Sequence, residues 1–150
     1  MKLSLSRIKN LVPEWNRQTI DFASAEELCS RLGLDIEMVP MSVKGFYFSV
    51  MGRHVIAISS RLKKAEQLYV LLHEIGHFIL HTPEGNHPAV GYYHVGRRTK
   101  KEWEADVFAL CALMPLEWIA SRQASEIIEE EGIESELVNL RFEVFKRFGI

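Results

Sequence analysis

The segment "LLHEIGHFILH", Leu71 to His81, sets three histidines four residues apart and a glutamate directly after the first. On an α-helix, positions four apart lie about 40° apart around the axis and about 6 Å apart along it. His73 and His77 can therefore aim their imidazoles at one ion. His81 sits about 12 Å along the axis from His73, too far for the same ion on a continuous helix. A role at the helix end or behind a ligand suits it better. Glu74, rotated about 100° from His73, is poorly placed to bind that ion but can reach a water beside it. This is the chemistry of His-Glu-x-x-His, two zinc ligands on one face and a general base next to the reacting water. The bland alternative is a buried helix with satisfied core histidines. The flanks "LYVLL" and "IGHFIL" are apolar around the whole circumference, so the helix is expected to be buried. Two imidazoles and a carboxylate left unpaired there would cost several kcal/mol, and a bound Zn2+ removes that cost.

Catalytic zinc sites usually take three protein ligands and keep one position open. A third histidine in an HExxHxxGxxH motif is excluded, because Pro83 stands six residues after His77 and no glycine and histidine fall in step. A carboxylate from a later helix is the alternative, and "KKEWEADVFALCALMP" offers Glu102, Glu104 and Asp106. With Glu102 as the reference direction, Ala105, Asp106, Ala109 and Leu113 fall within about 60° of it, whereas Glu104 points about 160° away. The two alanines permit close approach of another helix on the Glu102 face. Helical phase thus favours Glu102 as the third ligand and leaves Glu104 as the weaker candidate, read as facing solvent. Asp106, one turn further along the Glu102 face, can accept the second ring N–H of a liganding histidine. The bland alternative for all three acids is a charged helix start.

The elements that must position these residues read as follows. "SAEELCSRLGL" is a short helix, with Ser24 as candidate N-cap and Gly33 as the stop. "DIEMVP" is a short strand, and "GFYFSVMGRHVIAIS" reads as a hairpin turning at Met51 and Gly52. Lys63 to His81 is helical. "TPEGNHPAVGYYHVGRRT" is a long loop with no period, of the kind that often carries function. Helix resumes at "KKEWEADVFALCALM" and breaks at Pro115. "PLEWIASR", "SEIIEEEG" and the amphipathic "ESELVNLRFEVFKRFG" complete a helical C-terminal half. The predicted class is α+β: a small antiparallel or mixed sheet packed on a buried HExxH helix, then a mostly helical half.

Composition narrows the function classes. The chain has 150 residues, 47% of them hydrophobic and 25% charged, with a formal net charge of -2. That is one domain's worth of chain with no electrostatic footprint for direct nucleic-acid binding. Cys29 and Cys111 lie far apart in apolar helical contexts and read as reduced, packed thiols rather than a disulfide. The first fifteen residues lack the apolar core of a secretory signal, and no apolar run approaches the ~20 residues of a membrane span. A cytoplasmic protein is expected.

The histidine motif together with "GFYF", "VIAIS" and "EWEADVFALCALMP" resembles the ImmA/IrrE family of small zinc metallopeptidases. The last segment matches that family's E-x-x-A-(D/N)-x-F-A…L-M-P signature, and the resemblance runs from about Ala25 to Pro115. It implies a gluzincin-like fold and a single zincin-like metallopeptidase domain over residues 1–150. His73, His77 and Glu102 would be its zinc ligands and Glu74 its general base. It also implies cleavage of a helix-turn-helix repressor, relieving repression of mobile-element or stress-response genes. Segments after Pro115 lie outside the resemblance, and no helix-turn-helix unit is expected in this chain. Tyr92, Tyr93, His94 and His87 in the long loop are candidates to stabilise the oxyanion, with surface packing an equal reading for each. The run "RRTKK", Arg97 to Lys101, reads better as a solvated loop-to-helix junction than as a substrate contact. The rival function is a non-proteolytic zinc-containing binding module that sequesters a repressor, against which the intact Glu74 argues. Oligomeric state is left open by the sequence.

Overall fold

The computed structural model describes residues 3–81, 91–92 and 99–150, with only the backbone described at 91–92. Its elements are α1 (Leu5–Leu11), α2 (Phe22–Leu32), β1 (Leu34–Val39), β2 (Gly45–Val50), β3 (Arg53–Ser59), α3 (Lys64–His81), β4 (Gly91–Tyr92), α4 (Lys100–Leu113), α5 (Leu116–Ser121), α6 (Ala124–Glu131) and α7 (Ser135–Phe148). The architecture is α+β, with a small mixed sheet and a helical C-terminal half.

The sheet order is β1-β3-β2-β4. The expected hairpin forms: β2 and β3 are antiparallel, with Gly45 opposite Ile58 and Val50 opposite Arg53. Its turn uses positive φ at both central residues, 49° at Met51 and 77° at Gly52. That conformation matches the right-handed twist of the strands on either side. β1 runs parallel to β3 on the other side. Within the segment read as a long loop, Gly91–Tyr92 adds to β2 as a fourth strand, Tyr92 opposite Gly45. Val55, Ile56, Ala57 and Ile58 in β3 are all buried, as a central strand covered on both faces requires.

α3 packs on β2 and β3, and two glycines set how closely it can approach its neighbours. A Cβ on Gly45 would stand 2.5 Å from Val70 Cγ1 and 3.0 Å from the Ala57 carbonyl oxygen. A Cβ on Gly76, inside the histidine motif, would stand 3.0 Å from Phe108 of α4. The far end of α3 rests on the sheet through Phe78, whose ring lies 6.0 Å from Tyr47 and 5.9 Å from His54.

α4 is the central helix, with every residue from Glu104 to Leu113 buried. The N-terminal segment, for which the sequence suggested no element, wraps it. Trp15 donates its indole N–H to the Phe108 carbonyl at 2.9 Å, and Ile20 N–H donates to Ala112 at 2.9 Å. Arg141 of α7 is fully buried and donates to the Met114 carbonyl (2.7 Å), the Ile150 carbonyl (2.8 Å) and Asn16 Oδ1 (3.0 Å). It thereby ties α4's end to segments remote in sequence.

One cap differs from expectation. α2 begins at Phe22, capped by Asp21, whose carboxylate accepts the Ser24 backbone N–H at 2.8 Å. Asp21 provides a charged acceptor one turn earlier, so Ser24 contributes its N–H inside the first turn instead of its hydroxyl at the cap. Gly33 ends the helix as expected, at φ 74°. Cys29 and Cys111 are both buried free thiols, which corresponds to the reduced reading.

Candidate metal centre

α3 and α4 pack extensively on each other, and the site lies between them. α4 starts at the Thr99 cap, whose hydroxyl accepts the Glu102 backbone N–H at 3.2 Å. This puts Glu102 in the third position of the helix, beside the histidine face of α3. Its side chain does not fold back on the cap as in a capping box but turns to the histidines. Glu102 Oε1 lies 3.0 Å from His77 Nε2, and Oε2 lies 3.2 Å from His73 Nε2. The two Nε2 atoms are themselves 3.1 Å apart. His73, His77 and Glu102 thus form the cluster, among the described residues, that could hold a metal ion.

The donor set fits such an ion. Asp106 Oδ1 lies 2.9 Å from His73 Nδ1, so that nitrogen carries the hydrogen and donates to the carboxylate. Once it gives up its second proton, the ring presents its Nε2 lone pair to the cluster. Tyr69 donates its hydroxyl to the same Asp106 oxygen at 2.5 Å. Ligands about 2.0–2.1 Å from a tetrahedral centre stand roughly 3.3 Å from one another, close to the three separations found here.

Electrostatics point the same way. His73 is fully buried, which opposes its charged form, yet the hydrogen bonds to Asp106 and Glu102 and the nearby carboxylate charges carry it up to about 9. Burial likewise opposes ionisation of Glu102, but the two histidines hold its carboxyl well below the usual range. In the metal-free protein a proton on His73 therefore occupies ground that a cation would take. Glu74, buried at the next helix position, is pushed up to about 7 by burial, with the His73 charge acting against and the Glu102 charge with the shift. That is the range in which a carboxyl can both take and return a proton near neutral pH.

Glu104 departs from its expected place. It is buried rather than facing solvent, with Oε2 lying 3.1 Å from His81 Nε2. Helical phase treats a helix as having one covered side, whereas α4 is enclosed around its circumference from Glu104 onward. His81 stays outside the ion-binding cluster and instead meets His77, Nδ1 to Nδ1, at 3.0 Å. Tyr69 was also missed, although it lies four residues before His73 in the same row of α3. Among the oxyanion candidates, Tyr92 is placed only by its backbone in β4, while Tyr93, His94 and His87 lie outside the described residues. Of the basic run, Arg97 and Arg98 also lie outside them, and Lys100 and Lys101 are exposed.

The sequence pattern of the IrrE N-terminal-like domain, Peptidase M78, matches residues 29–148. The chain belongs to this family. The match extends well beyond Pro115, so α5, α6 and all of α7 are family structure and not an addition outside it. The chain is also similar to the uncharacterized immunity region protein 2 of Bacillus phage phi105. The two are 30% identical over 118 residues, covering 72% of this chain and 73% of the phage protein. Peptidase M78 membership and the His-His-Glu cluster together support a metallopeptidase-type function and a bound metal ion. No helix among the described residues is long and apolar enough to cross a membrane.

Proposed function

We propose that this chain is a zinc-dependent endopeptidase of the cytoplasm that cleaves a helix-turn-helix transcriptional repressor. The observation that carries the reading is the convergence of His73 Nε2, His77 Nε2 and Glu102 at 3.0–3.2 Å with the buried Glu74 one residue from His73. Two nitrogens and one carboxylate suit zinc and leave a coordination position free, the pattern of catalytic rather than structural sites. A zinc ion there would supply Lewis-acid polarisation of a peptide carbonyl and acidify a water. Glu74 takes the proton from the attacking water and returns it to the leaving amine. Asp106, itself held by Tyr69, keeps the His73 ring oriented throughout. The named immunity region of the phage relative favours a repressor as substrate, as does the resemblance to ImmA/IrrE peptidases.

The test compares wild type with Glu74→Gln, both zinc-loaded, on candidate helix-turn-helix repressors, taken first from any such protein encoded beside this chain's gene. Discrete repressor fragments are expected with wild type and none with Glu74→Gln. Equal relief of repression by both proteins without fragments would replace the peptidase with a binding module.

A further inference from the structure

His73 and His77 are not supported alike. His73 donates directly to the Asp106 carboxylate. His77 Nδ1 instead faces another imidazole nitrogen, His81 Nδ1, at 3.0 Å, and only one of the two can carry a hydrogen aimed at the other. We propose, resting on the reading of His77 as a zinc ligand, that Glu104 and His81 form a positioning relay that fixes the tautomer of His77.

The direction of the relay follows from its far end. An ionised carboxylate only accepts, so His81 Nε2, 3.1 Å from Glu104 Oε2, carries the hydrogen. A neutral His81 then has its lone pair at Nδ1 and accepts from His77 Nδ1–H. His77 is left with its own lone pair at Nε2, 3.1 Å from His73 Nε2 and 3.0 Å from Glu102 Oε1. Reversing either link would place a hydrogen on Nε2, where a ligand needs a lone pair. The relay is shielded from water, with side-chain exposure of 6% at His81 and 11% at Glu104, which strengthens both links. Lys100 Nζ lies 3.9 Å from Glu104 Oε1 at the outer end of the relay. The third histidine of the motif and the acid two residues after Glu102 thus acquire a function that neither has as a ligand.

The experiment is zinc affinity by competition with a chromogenic chelator, on the full chain, with thermal melting of each metal-free protein alongside. His81→Phe, which removes the acceptor, is expected to weaken zinc binding by about 10–100-fold. His81→Asn, whose amide oxygen can replace Nδ1 as acceptor, should recover most of that loss. Adding Glu104→Ala to His81→Phe should cost nothing more, because Glu104 acts only through His81. Imidazole 15N shifts of wild type give an independent reading: His77 protonated at Nδ1 and His81 at Nε2. Wild-type affinity in His81→Phe, failure of His81→Asn to recover a loss, or the opposite tautomers would each overturn the relay alone. A wild-type chain that binds no zinc would overturn the metal centre itself and the relay with it.

Discussion

His73 carries most of the chemistry that can be tested at the scale of single residues. Its Nδ1 hydrogen is committed to Asp106, and in the metal-free protein its second proton stays on to about pH 9. A metal must displace that second proton, so at pH 8 zinc binding is expected to release about one proton per site. Affinity should rise as the pH climbs toward 9 and then level off. Calorimetry in buffers of different ionisation enthalpy measures the release, and heats that do not vary with buffer would contradict the protonated His73. The cysteines make a contrasting prediction. Burial pushes Cys29 up to about 12 and Cys111 up to about 11. Reactivity follows the thiolate, so neither should react with a thiol reagent at pH 8 until the protein is denatured, when two thiols per chain appear. Rapid labelling of the folded protein would show that one of them is exposed. His73 and His77 were legible because helical spacing alone brings them to one face of α3, and Glu102, on a different helix, was singled out by its phase on α4 and by the family resemblance. His81 and Glu104 were not, since their pairing depends on how α3 crosses α4, which no single-helix phase encodes.

Elements were readable where their own residues determine them. The hairpin follows from alternating β-formers around Met51-Gly52, and α3 and α4 from long helical runs bounded by polar or Pro segments. α1 and β4 were not readable, for a shared reason. α1 buries only Ile8 of its seven residues, and β4 is two residues whose pairing is with a strand more than forty residues earlier. Such pieces are held by long-range contacts and carry little local signal. The α3–sheet contact gives a prediction at this scale. Gly45→Ala would drive a methyl into Val70 and the fixed backbone of Ala57. Overpacking of this kind costs about 1–3 kcal/mol, to be measured by urea denaturation. An unchanged midpoint would mean that α3 can retreat from the sheet without loss.

For the molecule as a whole, closure depends on a buried cation that gathers oxygens from remote segments. Arg141 donates to the main-chain oxygens of Met114 and Ile150 and to the Asn16 amide oxygen, which come from widely separated segments. Arg141→Met would leave those acceptors without their charged donor, and a loss of about 2–4 kcal/mol in unfolding free energy is expected. Zinc stoichiometry should survive, because the arginine clamps the end of α4 away from Glu102. A variant as stable as wild type would show that the clamp is dispensable. The most direct test of the metal centre is elemental analysis of purified protein. One zinc per chain is expected in wild type and none in His73→Ala, with both proteins folded. Unchanged zinc content in His73→Ala would contradict the assignment of the site.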